Sequence, residues 1–202
     1  MAAYEPILEL LRDYFSSMGY NNNYLKDYFS GRIFVELLSI RLANANVCVR
    51  NKTDRKSHQS HIAITGEATH FFYTDTEFKN KDNITIEKKP VRISVDNIKS
   101  LNNSAISIDT PLDLELIDGV VTVGKRTQNQ VQLSKKNSEN SECFNTLRLG
   151  LFENDLLILL KYRETDCILA VGIPQIFYLD YIPNYANKYE TNTYLRLPRI
   201  QN

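Results

Sequence analysis

From Ile33 onward the apolar residues of this chain fall in short runs that alternate with polar ones, and this pattern restricts it to a mainly β fold. Val91, Ile93 and Val95 alternate after Pro90. Ile62 and Ile64, Ile84 and Ile86, Ile106 and Ile108, Leu112, Leu114 and Leu116, and Val121 and Val123 repeat the pattern. Successive side chains of a strand point to opposite faces, so a period of two buries one face and leaves the other to solvent. Clusters of Asn, Asp, Gly and Lys bound the runs at roughly ten-residue spacing, as in barrels and sandwiches. Val47 and Val49, and the segment Thr69–Tyr73, read as further strands. Residues 32–44 fit helix or strand, and their β-branched and aromatic content favours a strand. Asp118-Gly119, between two apolar runs, predicts a two-residue hairpin turn.

One helix precedes the strands. Tyr4, Ile7, Leu8, Leu11, Tyr14, Phe15 and Met18 recur at intervals of three and four, with Glu5, Glu9, Arg12 and Asp13 off the stripe. Pro6 suits a first helical turn and Gly19 a stop. Residues 127–142 are polar, with a short strand at Val131–Leu133. Pro174, Pro183 and Pro198 predict an irregular end. The expected organisation is a helical segment at 1–30 packed on a β-barrel core at 31–174, followed by an irregular tail or linker at 175–202.

The 202 residues make one large domain or two small ones, and a hydrophobic fraction of 43% supplies a core. Seven glycines are few, and neither G-x-x-x-x-G-K-[ST] nor G-x-G-x-x-G occurs, which excludes the common nucleotide-binding loops. The apolar run Leu156–Leu160 is far too short to span a membrane. The first residues carry Glu5 and Glu9 and no basic segment, unlike a signal peptide. Cys48, Cys143 and Cys167 are odd in number and widely spaced, which predicts reduced thiols and a cytoplasmic location.

Basic and acidic residues balance at 24 each, so any affinity for nucleic acid must come from local patches. Three exist. Residues 50–61, RNKTDRKSHQSH, contain no apolar side chain and stand between apolar segments, as a solvated arm between strands would. Lys79, Lys81, Lys88, Lys89 and Arg92 form a second patch, and Lys125, Arg126, Lys135 and Lys136 a third. Acids collect elsewhere, at Glu5, Glu9 and Asp13 and at Asp109, Asp113, Glu115 and Asp118. Such segregation suits one binding face. Arg pairs with guanine and Asn or Gln with adenine in the major groove, so Arg50, Asn51, Arg55, His58 and Gln59 are candidate base contacts. Lys52, Lys56, Lys88, Lys89, Lys125 and Arg126 are candidate phosphate contacts, with Arg92 beside them.

The segment 147–174, LRLGLFENDLLILLKYRETDCILAVGIP, carries a family resemblance. A loop ends in Glu153-Asn154-Asp155, the strand Leu156–Leu160 follows, and a charged turn at Arg163–Asp166 leads into the strand Ile168–Val171. This resembles the closing hairpin of B3-type DNA-binding domains, where a Leu-x-x-Gly-Asp turn precedes a strand and its antiparallel return. Asn154 stands where those domains carry Gly. The wider layout resembles the N-terminal DNA-recognition modules of McrBC/LlaJI-type restriction systems. The resemblance implies a B3-like open β-barrel with a flanking N-terminal helix, binding double-stranded DNA by sequence or methylation. It implies no catalysis and no cofactor in this module, with motor and nuclease subunits as partners and an NTPase beyond residue 202. The arm at 50–61 would enter the major groove, and loops near Lys88–Arg92 and Lys125–Gln130 would form the second arm. A reader that flips methylcytosine would also need an aromatic pocket, for which Phe71, Phe72 and Tyr73 are nearest, although they also read as β-core.

Other chemistries are less well supplied. A PD-(D/E)xK nuclease could use Asp75, Glu87 and Lys89, but Lys88 stands where such motifs carry an apolar residue. Cys48, His58, His61 and His70 lack the paired spacing of structural zinc sites. No thiol has a neighbouring base in sequence, and no G-x-S-x-G marks a nucleophilic serine. A protein-interaction module is a further reading, using helix 4–18 and the aromatic segment Phe177–Tyr194.

Overall fold

The computed structural model describes residues 5–17, 34–43, 46–48, 61–73, 88–95, 117–126, 130–134, 147–162, 168–178 and 192–196. Within them the fold is mixed α/β and mostly strand. Helix α1 spans Glu5–Ser17. Strands β1 (Phe34–Arg41), β2 (His61–Thr65), β3 (Lys88–Val95), β4 (Ile117–Arg126), β5 (Gln130–Ser134), β6 (Leu156–Tyr162), β7 (Ile168–Ile173) and β8 (Asn192–Arg196) follow. They form one sheet of order β2-β5-β4-β3-β7-β6-β1-β8. Two antiparallel ladders, β2-β5-β4-β3 and β7-β6-β1-β8, are joined by the parallel pairing of β3 with β7.

The sheet is rolled. A 3-10 helix, Gly66–Phe71, directly follows β2 and packs on β2 and β5 at one end of the strand order and on β1 and β8 at the other. In a flat sheet β2 and β8 would stand roughly 34 Å apart. A six-residue 3-10 helix is only about 12 Å long, so the sheet must curl to bring both ends to it. Phe71 meets the ring of Tyr194 on β8 edge-on, with centroids 6.3 Å apart. No strand pairing joins β2 to β8 among the described residues, so the roll is plugged by the 3-10 helix rather than closed by hydrogen bonds.

Sequence periodicity matches burial in β2 and β5. β2 and β5 alternate, with Ile62, Ile64, Val131 and Leu133 buried and His61, Ala63, Gln130 and Gln132 half-buried. The inner residues join Leu38, Ile40, Leu157, Leu159, Ile168, Ala170, Phe71, Phe72 and Tyr73 in one core. β6 and β7 read as continuous apolar runs because both of their faces are covered: Leu156, Ile158, Leu160, Val171 and Ile173 are as buried as their inward neighbours. Helix α1 buries Ile7, Leu8, Leu10, Leu11 and Tyr14, and Tyr14 meets Phe177, just beyond β7, edge-on at 5.1 Å. Each fully buried Leu or Ile contributes about 1.5–3 kcal/mol.

Several expectations need correction. Asp118-Gly119 makes no turn: both residues lie inside β4, paired with Ser94 and Ile93. The full-length ladder with β3 overrides the local turn preference, and the chain reverses later, where Arg126 faces Gln130. Thr69–Tyr73 is not a strand. Gly66 takes a left-handed φ of 64° after Thr65, and the Thr69 hydroxyl donates to the Gly66 carbonyl at 2.7 Å, winding the chain into the 3-10 helix. Its aromatic residues still enter the core, so Phe71, Phe72 and Tyr73 form no open pocket. Residues 46–48 form a turn rather than a strand, although Val47 is buried. Lys88–Arg92 lies within β3, not in a loop. The end of the chain contributes β8, which pairs with β1. The runs at Ile84–Ile86, Ile106–Ile108 and Leu112–Leu116 lie outside the described residues, as does the turn Arg163–Asp166.

Candidate nucleic-acid interface

Strand direction gathers basic residues that are remote in sequence. β3 begins at Lys88, β4 ends at Arg126, β6 ends just past Lys161 and β8 ends at Arg196, and the pairing brings these four termini to the same end of the sheet. Lys88 is opposite Gly124 and Lys89 opposite Val123, so Lys88, Lys89 and Arg92 of the second patch lie beside Lys125 and Arg126 of the third, whereas Lys79, Lys81, Lys135 and Lys136 lie outside the described residues. Of the acids on the strands and the 3-10 helix, Glu36 and Glu67 lie at this end, whereas Asp118 and, before β6, Glu153 and Asp155 lie toward the other.

The register also sorts these positions by face. Val123 is opposite Leu133 and Lys125 opposite Val131, so Lys89 and Lys125 occupy inner-face positions at the mouth of the roll. Lys88, Arg92 and Arg126 occupy outer-face positions, in line with Gln130, Gln132 and His61. On that outer face the amide nitrogen of Gln132 is hydrogen-bonded to Nε2 of His61 at 2.8 Å. Because Ile93 is opposite Ile168, and Ile168 opposite Lys161, the start of β3 overhangs the end of β6 at Tyr162 by about four residues, roughly 13 Å along the strands. The β2-β5-β4-β3 half of the sheet therefore runs past the β7-β6-β1-β8 half at this end, with Thr65 and Gln130 level with Arg126.

At the mouth of the roll, a charged row crosses three strands. Lys161 on β6, Glu36 on β1 and Arg196 on β8 are register partners. Lys161 Nζ donates to Glu36 Oε2 at 2.9 Å, and Arg196 Nε lies 3.8 Å from Glu36 Oε1. Arg196 Nε also donates to the Tyr194 hydroxyl at 3.0 Å. Lys161 Nζ sits 4.6 Å from the centroid of the Phe71 ring, a cation–π contact that ties the row to the plug. Burial pushes the Tyr194 hydroxyl above the ordinary tyrosine range, and the Glu36 charge adds to this.

The opposite end is built for rigidity. The Asp155 carboxylate accepts the backbone N–H groups of Phe152 and Gln175, both at 2.8 Å. Burial nevertheless pushes its pKa up, against the pull of those two bonds. Asn154 has a φ of 71° and its N–H donates to the Leu42 carbonyl at 2.8 Å. Nearby, the buried Arg148 donates from Nη2 to the Asn46 carbonyl at 3.0 Å, and burial lowers its pKa. No group of three or more His, Cys, Asp or Glu is placed to hold a metal among the described residues.

Of the candidate contacts, Arg50, Asn51, Lys52, Arg55, Lys56, His58 and Gln59 lie outside the described residues, as do Asp75 and Glu87 of the nuclease motif. The arm enters β2 at His61, level with Pro90 and Thr122. Lys161 and Arg196 were not candidates on sequence. Each ends an apolar or aromatic run, and only the long-range pairing of β1 with β6 and β8 brings them together. Comparison with known proteins finds no match: no family model, no curated protein and no solved structure. No helix among the described residues is long and apolar enough to cross a membrane.

Proposed function

We propose that this chain is a non-catalytic double-stranded DNA-binding specificity module, with a B3-like open β-barrel, that directs a restriction or defence complex to its site. The observation that carries the reading is the convergence of Lys88, Lys89, Lys125 and Arg126 on one end of the sheet in a chain with no net charge. A local cationic tip on a neutral domain favours phosphate contact at that tip over general coating of nucleic acid. The fold reading is supported by the rolled, unclosed sheet and the flanking helix. It is also supported by Asn154, which takes the left-handed conformation that glycine supplies in a Leu-x-x-Gly-Asp turn. In this reading the arm at 50–61 supplies base contacts through Arg50, Asn51, Arg55, His58 and Gln59. Motor and nuclease subunits in the cytoplasm would act on the marked site.

The test is a set of binding isotherms on a random duplex library, with and without methylated cytosine, at several salt concentrations. Lys52→Ala and Lys56→Ala should weaken binding to all duplexes alike, each lowering the salt slope by about one unit. Arg55→Ala should cost roughly 1–3 kcal/mol on the preferred site and flatten the preference there. A chain that binds no duplex even at low salt would leave the protein-interaction reading in its place.

A further inference from the structure

The row Lys161–Glu36–Arg196 carries two cations around one carboxylate, and its three members are unequally exposed. The Arg196 side chain is 75% exposed, Lys161 32% and Glu36 20%. The carboxylate is the inner member and the guanidinium the outer one. Glu36 is engaged on both oxygens, by Lys161 at 2.9 Å and by Arg196 at 3.8 Å. The Lys161 contact has hydrogen-bond geometry, whereas the Arg196 contact is a looser ion pair. Exposed ion pairs contribute little to stability, so an incoming anion can compete for Arg196 at small cost to the fold.

Position also favours an anion here. The row lies at the same end of the sheet as Lys88, Lys89, Lys125 and Arg126, roughly 13–23 Å short of them along the strands. That offset is shorter than one turn of B-DNA, about 34 Å. One duplex laid across this end can therefore meet the basic tip and the row together.

We infer that Arg196 and Lys161 form a second phosphate-binding station for the duplex, and that Glu36 is a built-in competitor that restrains its affinity. This rests on the DNA-binding reading. The duplex phosphate replaces Glu36 as the partner of Arg196, while Lys161 stays held between Glu36 and the Phe71 ring. The restraint keeps non-specific binding weak, which a specificity module needs if it is to leave wrong sites quickly. Phe71 and Tyr194 give the station a rigid floor, because both belong to or pack against the core.

The experiment measures duplex affinity against salt for the full chain and for Glu36→Gln, Arg196→Ala and Arg196→Lys, with thermal melts of each. Glu36→Gln should bind random duplex more tightly and with a steeper salt dependence, because it frees charge without removing a cation. Arg196→Ala should lower the salt slope by about one unit and weaken binding about five- to tenfold at 0.1 M salt. Arg196→Lys should retain most of the affinity, because phosphate attraction needs the charge more than the fork. Wild-type binding that falls with Lys52→Ala but is unmoved by Arg196→Ala and Glu36→Gln would overturn the station and leave the DNA-binding reading standing. Wild-type chain that binds no duplex would overturn both. Loss of affinity in Glu36→Gln, with an unchanged melt, would also overturn the competitor role.

Discussion

The Tyr178 hydroxyl donates to the backbone carbonyl of Asn154 across 2.6 Å, and Asn154 is the non-glycine residue with positive φ among those described. The two facts belong together. A left-handed residue just before β6 turns the chain, and its carbonyl is held from the far side by a ring beyond β7. A side chain with a Cβ pays for this conformation by roughly 1–2 kcal/mol, and Asn less than most. Asn154→Gly should therefore keep or slightly raise the melting temperature, whereas Asn154→Ala should lower stability by about 1 kcal/mol. Thermal melts of both variants check this. Equal destabilisation by Gly and Ala would mean that the Asn side chain, not its φ, matters.

The same bond gives a pH dependence. Burial, with Asp155 nearby, raises the Tyr178 pKa above its ordinary value of 10.0, although Arg41 opposes this. The hydroxyl ionises less readily folded than unfolded. Its contribution is complete below the unfolded value and is lost as pH rises through the raised folded one. Tyr178→Phe should cost about 1 kcal/mol at neutral pH. It should also lose less stability than wild type as pH rises above about 10. Denaturant melts across that range test it, and parallel alkaline limbs would exclude Tyr178 as their source.

How much of this was legible in the sequence varied with the range of the forces involved. Helix α1 and strands β2 and β5 follow from periodicity, because each buries the face its spacing defines, whereas β1, β6 and β7 show as short apolar runs because both of their faces are covered. Leu10 escaped the stripe yet is fully buried, since the helix is covered over a wider arc than one row. Asp118-Gly119 misled because a turn preference is weak beside a complete ladder with β3. Thr69–Tyr73 misled because aromatic residues mark burial as readily as strand. The basic patches were visible as composition, but their merger required the β3–β4 register. The Lys161–Glu36–Arg196 row was invisible, because its members are brought together only by strand pairing over long separations in sequence.

Gly172 on β7 has a tertiary reason that sequence does not show. A Cβ there would come 2.7 Å from Leu151 Cδ2 and 3.2 Å from Leu147 Cδ1. The side chains of Leu147, in the short helical stretch 147–150, and of Leu151 thus lie directly against the β7 backbone. Leu151 is itself in the core and cannot swing clear cheaply. Gly172→Ala should destabilise by roughly 1–3 kcal/mol through overpacking. Pairing it with Leu151→Ala should recover part of that loss, beyond additivity. A chemical-denaturation double-mutant cycle measures the coupling, and strict additivity would contradict the contact.

The chain should not cut duplex DNA with Mg²⁺ or Mn²⁺. A PD-(D/E)xK site needs carboxylates converging on a metal, and the motif depends on Asp75 and Glu87 with Lys89. Plasmid nicking assays with purified chain settle the point. Cleavage that disappears in both Asp75→Ala and Glu87→Ala would make the nuclease reading the better one.

The last prediction separates the basic tip from charge in general. Lys88 and Arg126 hold outer-face positions at the basic end, whereas Arg12 is exposed on α1. Replacing any of the three by Glu changes net charge by the same amount, so an effect of net charge alone would appear equally in all. If the tip faces the duplex, Lys88→Glu and Arg126→Glu should each lower the salt slope by about one unit and weaken binding at least tenfold at 0.1 M salt, because each loses a phosphate contact and adds repulsion. Arg12→Glu should change affinity less than about threefold, since screening over a Debye length of about 10 Å mutes a distant charge. Arg12→Glu should shift the melting temperature little, because exposed substitutions usually alter stability by less than about 0.5 kcal/mol, and thermal melts of all three variants separate binding from folding. Equal losses in all three would mean that the duplex responds to overall charge and not to this end of the sheet. A loss confined to Arg12→Glu would move the interface to the helix.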